Sequence, residues 1–141
     1  MSIFLVSCEG LRTAAFDQYS YQKATEIKVE AANLLDSAVY PYAEHEQKVE
    51  KLREDLQKII EYEKNKSYND ISLAMWQILS DEEKNLLAGL LKRWENQQQL
   101  SPAFVQESKA QVMEAINLII KYEAAKDKTS KAQLQKLINT Y

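Results

Sequence analysis

The chain is poor in the residues that punctuate a fold and in those that carry metal or redox chemistry. Its 141 residues include two glycines, two prolines, one cysteine and one histidine. A lone cysteine excludes an internal disulfide, so nothing points to an oxidising compartment. A structural zinc site wants four Cys/His-type ligands, and there is one of each. A ferritin-like di-iron site needs paired Glu-x-x-His motifs, yet Tyr42 stands three residues before His45. A c-type haem run is absent, and no cofactor is expected. Gly10 and Gly89 are isolated, which excludes the glycine-rich phosphate loops. Two glycines also cannot supply the frequent turns of an all-β chain. No apolar run approaches the ~20 residues of a bilayer span.

Arginine is scarce as well. Arg12, Arg53 and Arg93 are far apart, and the net charge is −3. That balance argues against nucleic acid, whose phosphates call for clustered cations.

What remains is a good helix alphabet. Hydrophobic residues make up 45% and charged residues 28%. A chain this long can bury roughly 68% of its unfolded surface, enough for a core without staples. One domain over 1–141 is expected. The fold class expected is all-α: a compact bundle of five or six helices, about 11–39, 41–66, 70–79, 81–98, 102–126 and 130–140.

The boundaries follow from periodicity and punctuation. Ala24, Ile27, Ala31, Leu34 and Ala38 recur at helical spacing. Gly10 marks the start of that helix, and Pro41 ends it by disfavouring the α region at Tyr40. Tyr42, His45, Val49, Leu52, Leu56 and Ile59 form a seam close to a heptad. The rest of that helix is charged with both signs and reads as a solvated face. Asn69 or Asp70 caps a short third helix, which is apolar nearly all round and therefore buried or in contact with a partner. Ser80 with Glu83 has capping-box spacing before Leu87, Leu90, Leu91 and Trp94. Gly89, inside that helix, reads as a close-packing position against another helix, with close approach to a ligand as the functional alternative. Ser101-Pro102 opens the fifth helix, and Leu134, Leu137 and Ile138 mark the sixth.

Near the N-terminus, Leu5-Val6-Ser7-Cys8 resembles a bacterial lipoprotein cleavage box over four residues. A signal peptide also needs a basic start and a longer apolar stretch. The preceding residues hold no basic side chain, so the expectation is a cytoplasmic protein without a signal peptide. An internal echo appears at an offset of 60: Ile59-Ile60-Glu61-Tyr62-Glu63 against Ile119-Ile120-Lys121-Tyr122-Glu123, with Lys66 matching Lys126. Two amphipathic helices drawn from a small alphabet account for it, and a duplicated pair is the alternative.

Few residues invite chemistry. Cys8 with His45 is the one conceivable thiol–imidazole dyad, and nothing in the sequence brings them together. His45 lies on an apolar stripe and reads as a packing residue. Five lysines from Lys121 to Lys136 face Glu123 and Asp127, a mildly basic segment that could meet nucleic acid or an anionic surface. Tyrosine and tryptophan supply 10 of 13 aromatic residues, and both types are enriched in interfaces. The function expected is a soluble protein-interaction module: an adaptor, chaperone-like binder, inhibitor or small subunit, whose partner is another protein or a copy of itself. Trp76, Met75, Tyr40, Tyr42 and Tyr68 are the candidate contact residues. Trp76 has a second reading as core, and Trp94 reads as core.

Overall fold

A computed structural model describes residues 13–141 and contains six α-helices, with no strand among those residues. They are α1 (Gln18–Asp36), α2 (Glu46–Lys64), α3 (Asp70–Ser80), α4 (Leu87–Gln97), α5 (Pro102–Ala125) and α6 (Lys128–Ile138). The all-α bundle read from the sequence is the observed architecture.

The first helix starts later than the periodicity suggests. Residues 13–17 are not helical, and Asp17, in extended backbone, caps α1 by accepting from the N–H groups of Tyr19 (2.9 Å) and Ser20 (3.2 Å). Phe16 and Tyr21, the residues before the cap and in the first turn, hold their rings 6.2 Å apart. That is a hydrophobic staple fixing the entry of the chain. Ala24, Ile27, Ala31, Leu34, Leu35 and Ala38 are buried, and α1 packs on α2 and α5.

The Pro41 corner is longer than expected, so α2 begins at Glu46 and not at Pro41. Two short 3₁₀ turns, Ser37–Val39 and Tyr42–Glu44, flank it. The α4–α5 connection pins this corner. The N–H of Tyr42 donates to the carbonyl of Gln98 (2.9 Å), and the N–H of Leu100 donates to Ala38 (2.9 Å). Trp94 Nε1 donates to the Tyr40 carbonyl, also at 2.9 Å. Backbone groups committed there are unavailable to a continuous helix.

The α2 seam is buried from Tyr42 through Ile59, with His45 half-buried. Its charged face is not simply solvated: Asp55 is only 4% exposed and lies 3.1 Å from Lys23 and 2.8 Å from Lys51. α3 runs through the centre, touching α2, α4, α5 and α6, and buries Ile71, Met75, Trp76 and Leu79. Burying such side chains contributes about 1.5–3 kcal/mol each.

The capping box at Ser80 does not form. Ser80 is the last residue of α3, and its hydroxyl donates to the Gln77 carbonyl (3.0 Å). The chain then loops through 81–86, where Asp81 accepts from the N–H of Glu83 (2.9 Å). Leu86 is non-helical (φ −128°, ψ −147°), and α4 starts at Leu87 without a side-chain cap. Leu86 and Leu87 are both fully buried. Neighbours in a helix point about 100° apart, whereas a non-helical Leu86 lets both enter the core. Gly89 permits the loop, because a Cβ there would collide with the carbonyl of Lys84. Its partner is thus the loop before its own helix.

Candidate interaction surface

One end of the bundle gathers the start of α1, the end of α2, the start of α3 and the α5–α6 junction. Inside it lies a buried polar cluster. Glu63, 1% exposed, accepts from the Ser20 hydroxyl and from the Asn69 side-chain amide, and pairs with Lys66 at 3.3 Å. Glu123, also 1% exposed, accepts from the Ser72 hydroxyl at 2.5 Å and pairs with Lys126 at 2.7 Å. The echoed Glu-x-x-Lys ends of α2 and α5 therefore carry the same device: a buried carboxylate, a serine from another helix, and a lysine one turn on. Tyr122 is fully buried between these groups, and its hydroxyl has no hydrogen-bond partner among the described residues. Burial, then the charges of Glu123 and Glu63, push its pKa up to about 12. Carboxylates this deeply covered and paired hold the helices together; they do not face a substrate.

Over this cluster lies an aromatic surface. Phe16 is 58% exposed, Tyr19 45%, Tyr21 38% and Tyr62 38%. The rings of Tyr19 and Tyr62 are 4.4 Å apart, at an angle outside a parallel stack. The Tyr62 hydroxyl donates to Asp17 at 2.7 Å, which together with partial burial raises the Tyr62 pKa to about 12. Burial would raise the Asp17 pKa, but that bond, the Ser20 N–H and Lys66 outweigh it and hold the carboxyl below its ordinary value. Lys66 lies 3.5 Å from Asp17. The surface is apolar with its charges compensated.

The residues singled out in the sequence divide. Trp76 and Met75 are 1% and 0% exposed and Tyr42 is 5% exposed. These three are core, because α3 is central and the Tyr42 ring packs edge-on against Trp94 at 5.4 Å. Tyr40 and Tyr68 are exposed, but Tyr40 sits at the opposite end, beside Trp94. Phe16 and Tyr62 escaped the reading. The signals were present: Phe16-Asp17 with Tyr21 is a staple around a cap, and Tyr62 falls off the seam that Ile59 and Glu63 continue.

His45 precedes α2, with its ring 5.5 Å from that of Trp94. Cys8, its proposed dyad partner, and the cleavage-box resemblance lie outside the described residues. Among the described residues no group of three or more His, Cys, Asp or Glu is arranged to hold a metal, and no helix is long and apolar enough to cross a membrane. Of the C-terminal lysines, Lys126 is withdrawn into its pair with Glu123, its side chain 9% exposed. Comparison with protein-family models, with curated proteins and with solved structures gave no match to this chain.

Proposed function

We propose that this chain is a protein-interaction module that docks a partner protein through Phe16, Tyr19, Tyr21 and Tyr62. The carrying observation is the exposure of two aromatic pairs, Phe16 with Tyr21 and Tyr19 with Tyr62, at the start of α1 on a well-sealed bundle. At roughly 200 Å² per ring and nearly half exposure, each pair offers about 150–200 Å² of aromatic surface. The buried cluster beneath ties four helices together and holds the rings in place. A preorganised anchor loses little side-chain entropy on binding, which favours affinity. The complementary partner surface is an apolar depression with polar atoms at its rim for the tyrosine hydroxyls.

Affinity capture followed by reconstitution with the purified partner tests this reading. A Phe16→Ser/Tyr19→Ser variant should lose the partner, since truncating central aromatic anchors costs about 2 kcal/mol or more. Both side chains are exposed, so the variant should melt within a few degrees of the parent. Tyr40→Ser, at the opposite end, should bind as the parent does. Native mass spectrometry showing a strict monomer without any partner, or retention of the partner by the double variant, overturns the proposal.

A further inference from the structure

The flank of the bundle between α4 and α5 holds a groove that shares no residue with the aromatic surface. α4 packs chiefly on α3 and on the Tyr42–Glu44 turn, so its side toward α5 stands open. The space left is about 330 Å³, near the lower bound of small-ligand sites. Its floor is apolar: Leu86, Leu90 and Val112, all buried, with Phe104 half-buried beside them. Its walls are polar. On α5, Phe104, Glu107, Ser108 and Gln111 recur at i, i+3, i+4 and i+7 and share one face. Arg93 of α4 and Asn85 of the preceding loop line the other side.

The polar side chains of this groove are uncommitted. Arg93 and Glu107, opposite in charge, form no ion pair with each other or with any other described residue. Asn85, Ser108 and Gln111 make no side-chain hydrogen bond among the described residues. The grooves beside α1 behave otherwise. In one, Glu30 and Lys51 close on each other at 2.6 Å; in another, Asp36 and Lys109 do so, also at 2.6 Å. Arg93 is held instead over the Phe104 ring, its guanidinium carbon 4.2 Å from the ring centre. A guanidinium placed over a ring keeps its in-plane N–H groups free for an acceptor. Two opposite charges thus stay separate above an apolar floor.

From this arrangement we infer that the α4–α5 groove binds a zwitterion, a free amino acid with an apolar side chain. Its carboxylate takes the Arg93 fork in bidentate geometry, and its ammonium donates to Glu107. Its side chain lies on the floor of Leu86, Leu90 and Val112. Asn85, Ser108 and Gln111 supply further donors and acceptors. A bare anion would be repelled by Glu107, and a bare cation by Arg93; a ligand carrying both charges satisfies both walls.

Nuclear magnetic resonance titration of the nitrogen-labelled full chain with L-leucine at millimolar concentrations tests the inference. Backbone shifts should move at Gly89, Arg93, Glu107 and Gln111, and should saturate. Isocaproate lacks only the ammonium of leucine, and isoamylamine lacks only its carboxylate. Each should bind about tenfold more weakly or worse, the scale of one lost hydrogen bond to a charged group. Glu107→Gln should abolish leucine's advantage over isocaproate, and Arg93→Gln its advantage over isoamylamine. Lys48→Gln, on α2, should alter neither ratio. Arg93 and Glu107 are exposed and outside any ion pair, so their variants should melt within a few degrees of the parent. Absence of saturable shifts with leucine overturns the inference. Isocaproate or inorganic phosphate binding as well as leucine overturns it in favour of a plain anion site at Arg93. Tighter binding of trileucine overturns it in favour of a short peptide. Shifts that survive both substitutions overturn it as non-specific association.

Discussion

Two tyrosines with nearly the same local sequence have opposite fates. Tyr62 in Ile-Ile-Glu-Tyr-Glu is 38% exposed and bonded to Asp17. Tyr122 in Ile-Ile-Lys-Tyr-Glu is fully buried, with its hydroxyl unsatisfied. The glutamates that follow them do the same work, each buried, serine-bonded and paired with a lysine one turn on. The difference lies in the neighbours. α5 is flanked by α1, α3 and α6, so little of its circumference is left for solvent. α2 packs on α1 and α3, and its Tyr62 side remains open. A residue's burial is decided by how many helices surround its own; the local pattern decides only which face leads inward.

The largest effect should come from the shared device. Glu123→Ala strands Lys126 and the Ser72 hydroxyl and should cost about 3–5 kcal/mol in chemical denaturation, because an uncompensated buried charge remains. Glu63→Ala removes the acceptor of Ser20 and Asn69 but leaves Lys66 its pair with Asp17, and should cost about 1–3 kcal/mol. A loss below about 1 kcal/mol at one site only would break the equivalence of the two helix ends.

Alkaline pH should draw on both tyrosines, since each has its pKa raised to about 12, Tyr62 by its bond to Asp17 and Tyr122 by burial. A folded pKa of about 12 for Tyr122 lies above its ordinary value near 10. Its contribution to stability is therefore present below about pH 10 and is lost as pH rises through 12. Denaturation at graded alkaline pH should show this decline, and Tyr122→Phe should flatten the part that Tyr122 causes. An unchanged slope in that variant would assign the decline elsewhere.

At neutral pH the two hydroxyl deletions should have opposite signs. Tyr62→Phe removes a bond to a charged acceptor and should lose about 1 kcal/mol. Tyr122→Phe removes an orphaned polar group and should be neutral or slightly stabilising. Matched losses at both positions would mean that Tyr122 has a partner in solution.

A further effect lies at the foot of the aromatic surface. Asp17→Ala deletes both the cap of α1 and the acceptor for Tyr62, and should cost about 2 kcal/mol, more than Tyr62→Phe alone. With a folded pKa below the ordinary one, Asp17 contributes stability above about pH 4, and that contribution fades as pH falls through the lowered value. The variant's deficit should therefore shrink in acid; a deficit constant with pH would count against the carboxylate's charge as its origin.

Much of the bundle was legible because helix periodicity is a local property. The stripe through Ala24, Ile27 and Ala31 and the α2 seam through Val49, Leu52, Leu56 and Ile59 are the buried faces. Helix ends were less legible, because competing contacts settle them. Ser80 and Glu83 have the spacing of a cap, yet Leu86, Leu87 and the loop folded over Gly89 take the chain another way. The aromatic surface was the least legible. Trp76 and Tyr42 have the composition of contact residues but are interior, whereas Phe16 and Tyr62 are outside.

Spacing of apolar side chains, scarcity of glycine and the prolines before α2 and at the start of α5 were enough by themselves to dictate an all-helical chain and most of its inward faces. Which tyrosines surface, which lysines stay unpaired and where two glutamates become buried depended on how the helices assemble. The physical reason is range: a helix forms through bonds four residues apart, while buried hydrogen bonds and charge pairs join distant residues, 51 apart for Ser72 and Glu123 and 73 apart for Asp36 and Lys109.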